Sequence, residues 1–155
     1  MFFSHRRTRS AKGNEDRHAS SASQEVARLA EAMSAMKTPV AHIEVLGRTL
    51  VATVQEPELT APKAADLRDE LLIKLATRPD SRHVVLDFQN VDYLDSACLG
   101  MLLHIHREIR SRGGRMAIAS AKTRVEGLFK LTRLEQLFPM KRSVIDAVNV
   151  VEQLQ

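Results

Sequence analysis

The segment richest in groups that could do chemistry is Asn90-Val91-Asp92-Tyr93-Leu94-Asp95-Ser96-Ala97-Cys98-Leu99-Gly100, where Asp95 and Ser96 adjoin at the expected start of a helix. Aspartate and serine are preferred N-caps, because their oxygens accept the backbone N–H groups that a helix start leaves unpaired. Capping alone accounts for both residues. The same helix start also stabilises negative charge through its exposed N–H groups and macrodipole. Cys98 has two readings, a thiol activated by the helix start or a small buried packing residue, and the second is favoured.

Other reactive types are poorly placed. His104 and His106 are two apart and face different sides of a helix, with no cysteine or carboxylate at ligand spacing, so no metal site is expected. Ser96 as a nucleophile lacks any histidine in a recognisable triad context. Gly113-Gly114 precedes a strand and reads as a helix stop, not a phosphate loop. These patterns predict neither an enzyme nor a bound cofactor.

The elements that must hold Asp95 and Ser96 follow from periodicity. His83-Val84-Val85-Leu86-Asp87-Phe88 is a nearly continuous apolar run, the mark of a central strand buried on both faces. Ser96 to Arg112 is a helix that begins apolar and ends charged. Upstream, His42–Leu46 and Thr49–Val54 alternate around Gly47-Arg48 and predict a hairpin. Residues 63–77 place Ala64, Leu67, Leu71, Leu72 and Leu75 on one helical face, with Pro62 in the first turn. Downstream, Met116–Ser120 is a strand and 123–138 a helix with Val125, Leu128, Phe129, Leu131 and Leu134 inward. Ser143 and Asp146 form a capping box for a last helix whose inner face carries Ile145, Val148, Val151 and Leu154. Strands alternating with helices predict an α/β fold with a mixed, mostly parallel sheet flanked by helices.

The 155 residues suit one domain and a tail. Residues 1–37 are expected to be a basic, Ser-rich, mostly disordered tail with one short amphipathic helix over 24–36, and residues 38–155 the domain. Much of the net charge of +4 sits in that tail, on Arg6, Arg7, Arg9, Lys12 and Arg17, so it says little about the fold. Aromatics are 4% and tryptophan is absent, leaving few platforms for stacking nucleic-acid bases. Cys98 is the one cysteine, no apolar run reaches membrane-helix length, and Met1-Phe2-Phe3 precedes the basic residues in the reverse order of a signal peptide. A cytoplasmic protein that contacts neither membrane nor nucleic acid is expected.

Val84-Val85-Leu86-Asp87-Phe88, then Val91-Asp92-Tyr93-Leu94-Asp95-Ser96, then Leu99-Gly100 resembles the signature of STAS domains, in particular the anti-sigma factor antagonists. Gly113-Gly114-Arg115-Met116-Ala117-Ile118 and the stretch Val125 to Phe138 follow in family order, so the resemblance covers roughly residues 40–154. It implies a single STAS domain. It also implies that Ser96 is the phosphoacceptor of a partner serine kinase with a histidine-kinase-like ATPase fold, which doubles as an anti-sigma factor. A serine phosphatase would reverse the modification. Asp95, Ser96, Ala97, Cys98 and Glu58 are the implied partner-binding residues. A phosphate at a helix start is tolerated by the fold, so its effect falls on the partner surface.

The sequence departs from the family pattern in three places. Ala97 and Cys98 stand where a small hydroxyl residue and glycine are usual, Arg133 where glycine is frequent, and Glu56-Pro57-Glu58 where an aspartate is frequent. Cys98 is thus expected to obstruct a kinase or select a different one. The alternative reading is a STAS scaffold subunit of a signalling or lipid-transport complex without a phosphoswitch, which Ala97-Cys98 favours slightly. A nucleic-acid or anionic-surface binder acting through the N-terminal arginines is a third, opposed by the lack of a basic tracking patch in the folded part.

Overall fold

The computed structural model describes residues 12–35 and 38–153. Helix α1 (Lys12–Ala35) precedes a hairpin of β1 (Ala41–Leu46) and β2 (Thr49–Val54), then β3 (Glu58–Leu59) and α2 (Ala61–Thr77). The central strand β4 (His83–Asp87), β5 (Tyr93–Leu94) and α3 (Ser96–Ser111) follow. The chain closes with β6 (Met116–Ala119), α4 (Thr123–Leu131), a 3-10 turn (Leu134–Gln136), β7 (Met140–Lys141) and α5 (Val144–Gln153).

The main sheet runs β1-β2-β4-β6-β7, with β1 antiparallel and the others parallel. The mixed, mostly parallel sheet expected from the alternation is therefore present. The hairpin turns at Gly47, whose φ of +59 suits glycine, and its register pairs Leu46 with Thr49. All five residues of β4 are buried. Their alternation divides the core. Val84 and Leu86 join α2, α3 and α4 on one face, while Val85 packs with Val51, Ala117, Ala147 and Val151 under α5 on the other. Burying a strand on both faces requires apolar side chains at successive positions, which explains the unbroken run.

Four expectations change. Helix α1 covers residues 24–35 of the helix expected over 24–36 and begins at Lys12, inside a stretch whose composition suggests no element. Once its C-terminal half lies on α2, where Glu31 meets Lys74 at 3.5 Å, each further residue adds a hydrogen bond at small entropic cost. The helix expected over 123–138 stops at Leu131, because Arg133 takes a left-handed conformation with φ of 58 and redirects the chain into the 3-10 turn. Leu131 is therefore 85% exposed instead of inward, although Leu134 is buried as expected. Ile145 also lies outside, at 70% exposure; Ala147 and Val151 form the buried face of α5 with Val144 and Val148 beside them. Leu154 and Met36 lie outside the described residues.

Candidate functional site

Three short segments meet where β4 ends and α3 begins. β3 and β5 form a two-residue parallel ladder that pairs Glu58 with Tyr93 and Leu59 with Leu94. The N–H groups of Asp92 and Tyr93 donate to the Pro57 carbonyl at 2.7 and 3.1 Å. Glu56-Pro57-Glu58 is thereby held against the segment that leads into α3. Elements this short have no periodicity to read, so the sequence shows the two loops but not their pairing.

Asp95 is the N-cap of α3. Its Oδ1 accepts from the Cys98 N–H at 2.9 Å, and its Oδ2 accepts from the Ala61 N–H at 3.0 Å, at the first residue of α2. Thr60 precedes α2 and makes no side-chain cap, so one carboxylate from the α3 start serves both helices. This settles the division of labour in the Asp95-Ser96 pair. Ser96 is the first helical residue, is exposed, and its hydroxyl has no hydrogen-bond partner among the described residues. The capping role open to both residues belongs to Asp95 alone.

Of the residues expected at a partner surface, Glu58, Ser96 and Ala97 are exposed and Asp95 is half-buried beside them. Cys98 does not belong with them. Its side chain is fully buried in the core, so it neither obstructs an approaching molecule nor selects one. Burial, with Asp95 nearby adding to it, pushes its thiol pKa up to about 12, which keeps it protonated and unreactive. The position faces inward because it lies one helical turn before Leu102, on the stripe that also carries Met101 and Ile105.

A groove of about 350 Å³ opens beside this site, between β5 and α4. Leu94 and Val125 are buried beneath it, Leu128 is half-buried, and Tyr93 and Leu131 are 49% and 85% exposed. Asp92 and Lys122 form an ion pair at one end. Sequence reasoning missed this groove, since Leu128 and Leu131 read as core residues of a longer helix. The signal that marks it is the lone tyrosine at position 93, an amphipathic side chain in an exposed loop. Glu56 is paired with Lys63 at 2.6 Å, and Glu58 sits in the ladder opposite Tyr93. No group of three or more metal-ligating side chains gathers among the described residues, and none of their helices is long and apolar enough to cross a membrane.

A hairpin followed by parallel strands and crossover helices, with an exposed serine at the helix start beyond the central strand, defines a mixed α/β domain of one sheet flanked by helices. The family model for the STAS domain matches residues 41–147, and the chain belongs to that family. It is 28% identical over 75 residues to the anti-sigma F factor antagonist of Paenibacillus polymyxa, covering 48% of this chain and 64% of that protein, just under two thirds of its length. The structure of the anti-sigma factor antagonist SpoIIAA in its unphosphorylated form superimposes with a TM-score of 0.63 at 19% identity, over 73% of this chain and 96% of that one. The phosphorylated form of SpoIIAA from Bacillus gives 0.56 at 17% identity, over 74% and 99%. At those identities the two structures speak for the fold.

Proposed function

We propose that this protein is an anti-sigma factor antagonist, a binding module switched off by phosphorylation at Ser96. In the unmodified state its α3 start, with Glu58, Asp95, Ser96 and Ala97, docks on an anti-sigma factor that is also a serine kinase of the histidine-kinase-like ATPase fold. The apolar groove at Tyr93 and Leu131 takes a side chain of the same partner, and binding releases the sigma factor. Phosphate on Ser96 dissolves the complex, and a serine phosphatase restores it.

The observation that carries this reading is the division of labour at the helix start. Asp95 holds both α2 and α3, so the Ser96 hydroxyl is not needed by the fold and stands in solvent. The backbone N–H groups of Ser96 and Ala97 have no acceptor among the described residues, and a phosphate of about −2 charge is tolerated where such groups and the helix dipole point outward. On a docking surface the same group adds charge and bulk that must be desolvated. The relatives named as antagonists support the same role. The scaffold alternative drew its slight support from Ala97-Cys98, and the burial of Cys98 removes half of it.

Incubation with candidate serine kinases and ATP, followed by mass spectrometry, tests the assignment. One phosphate is expected on Ser96 of the wild type and none on Ser96→Ala. Phosphate found at another residue, with Ser96 untouched by every such kinase, would refute the switch.

A further inference from the structure

Helix α1 leaves an apolar stripe uncovered. Val26, Leu29 and Met33 are 66%, 62% and 59% exposed, while Ala27, Ala30 and Glu31 turn partly inward, and Glu31 reaches Lys74 of α2. At 3.6 residues per turn the stripe lies about a third of a turn round the helix from the docked face. The domain therefore uses one side of α1 and leaves its larger apolar side chains on another. A contiguous exposed stripe of this kind marks an interaction surface.

Its spacing says what covers it. Ala22, Val26, Leu29 and Met33 follow one another at steps of four, three and four, and the sequence continues the alternation to Ala19 and Met36. Alternating steps of three and four are those of the narrow seam of a two-stranded coiled coil. The seam also has a gradient of size, alanine toward the N-terminus and methionine toward the C-terminus. A parallel copy would set Ala22 against Ala22 and Met33 against Met33, leaving a gap in one layer and crowding in another. An antiparallel copy centred between residues 27 and 28 sets Ala22 against the partner's Met33 and Val26 against the partner's Leu29, so every layer has similar volume. The flanking positions then place Glu25 near the partner's Ala32 and Ser23 near the partner's Ala30, with no like charges opposed.

We propose that α1 pairs with α1 of a second copy in antiparallel register, making the protein a two-fold dimer through its N-terminal helix. The proposal does not depend on the phosphoswitch, since the seam is formed by α1 and the switch by the start of α3.

Sedimentation equilibrium of the full chain tests it. The mass should rise with concentration, between about 1 and 100 μM, from 17.4 kDa toward twice that value. Leu29→Glu should stay at the mass of one chain while the thermal unfolding of the domain is unmoved. Spin labels at Ser21→Cys and at Arg28→Cys report the orientation. The antiparallel pair predicts a label separation longer at position 21 than at 28 by about 5–10 Å. A wild-type chain that stays at one-chain mass, a dimer indifferent to Leu29→Glu, or equal separations at the two positions would overturn the proposal.

Discussion

The two ends of the parallel sheet are built on opposite rules. At the amino ends of β2 and β4 packed contacts close the sheet, although the buried His83 Nε2 has no partner among the described residues and a cavity of about 310 Å³ opens beside Met116. Glu152 of α5 accepts from the Arg48 N–H at 2.9 Å and from the Thr49 hydroxyl at 3.0 Å. A side chain at Gly114 would begin 1.8 Å from the Arg82 carbonyl oxygen. His83 is buried, and its Nδ1 accepts from the Arg115 N–H at 3.0 Å. At the carboxyl ends one residue, Asp95, does the structural work of several, and Ser96 and the groove beside it remain open. A fold that closes one end with packed polar contacts can leave the other accessible to a partner without losing stability.

The largest expected effect lies at the closed end. Gly114→Ala should destabilise by about 3 kcal/mol or more, because the added Cβ meets backbone that cannot yield. Chemical denaturation measures it, and a loss below about 1 kcal/mol would mean this end is looser than described. Asp95→Ala should cost about 1–3 kcal/mol through the two N–H groups it leaves unpaired. Ser96→Ala, one residue on, should cost less than about 0.5 kcal/mol. Equal losses at Asp95 and Ser96 would break the division of labour on which the switch rests.

Acid should act on the closed end. Burial holds the His83 imidazole below the ordinary histidine range; Glu152 opposes this, and Arg82, Arg115 and Arg48 add to it. The unfolded chain then takes up the proton near pH 6.5 while the folded chain resists it. The stability that neutral His83 contributes is thus complete above about pH 6.5 and declines as pH falls toward the lower folded value. His106, lowered by burial and by Arg110, acts in the same direction. Unfolding curves between about pH 7 and 5.5 should show a shallower decline for His83→Gln than for the wild type.

One change should be a gain, at the break after α4. Arg133 holds a left-handed backbone at φ of 58, which a non-glycine residue adopts at a cost of about 1 kcal/mol. Arg133→Gly should therefore stabilise by about 0.5–1 kcal/mol, read as a higher melting temperature.

The comparison also explains what the sequence could show. The apolar run of β4, the Gly47 turn and the Ser143 cap, whose hydroxyl accepts from the Asp146 N–H at 3.1 Å, are local patterns with one dominant cause each. All were legible. What escaped depended on contacts between distant segments or on an exception to a local rule. Asp95 reaching Ala61 spans two helices, and the β3–β5 ladder is too short to leave a pattern. The break after Leu131 hides because arginine, not glycine, occupies the left-handed position, and with it hides the outward turn of Leu131 that helps to form the groove. Ser96 was legible as a candidate, but whether it or Asp95 capped the helix was not.

The central claim is that Ser96 governs binding and not folding. Calorimetric affinity for the proposed anti-sigma factor kinase, measured beside unfolding curves for wild type, Ser96→Ala and Ser96→Asp, tests it most directly. The account predicts three proteins of closely similar stability, with Ser96→Ala binding like wild type and Ser96→Asp binding at least tenfold more weakly, about 1.4 kcal/mol. Ser96→Asp binding as tightly as wild type, or losing affinity only in proportion to lost stability, would contradict it.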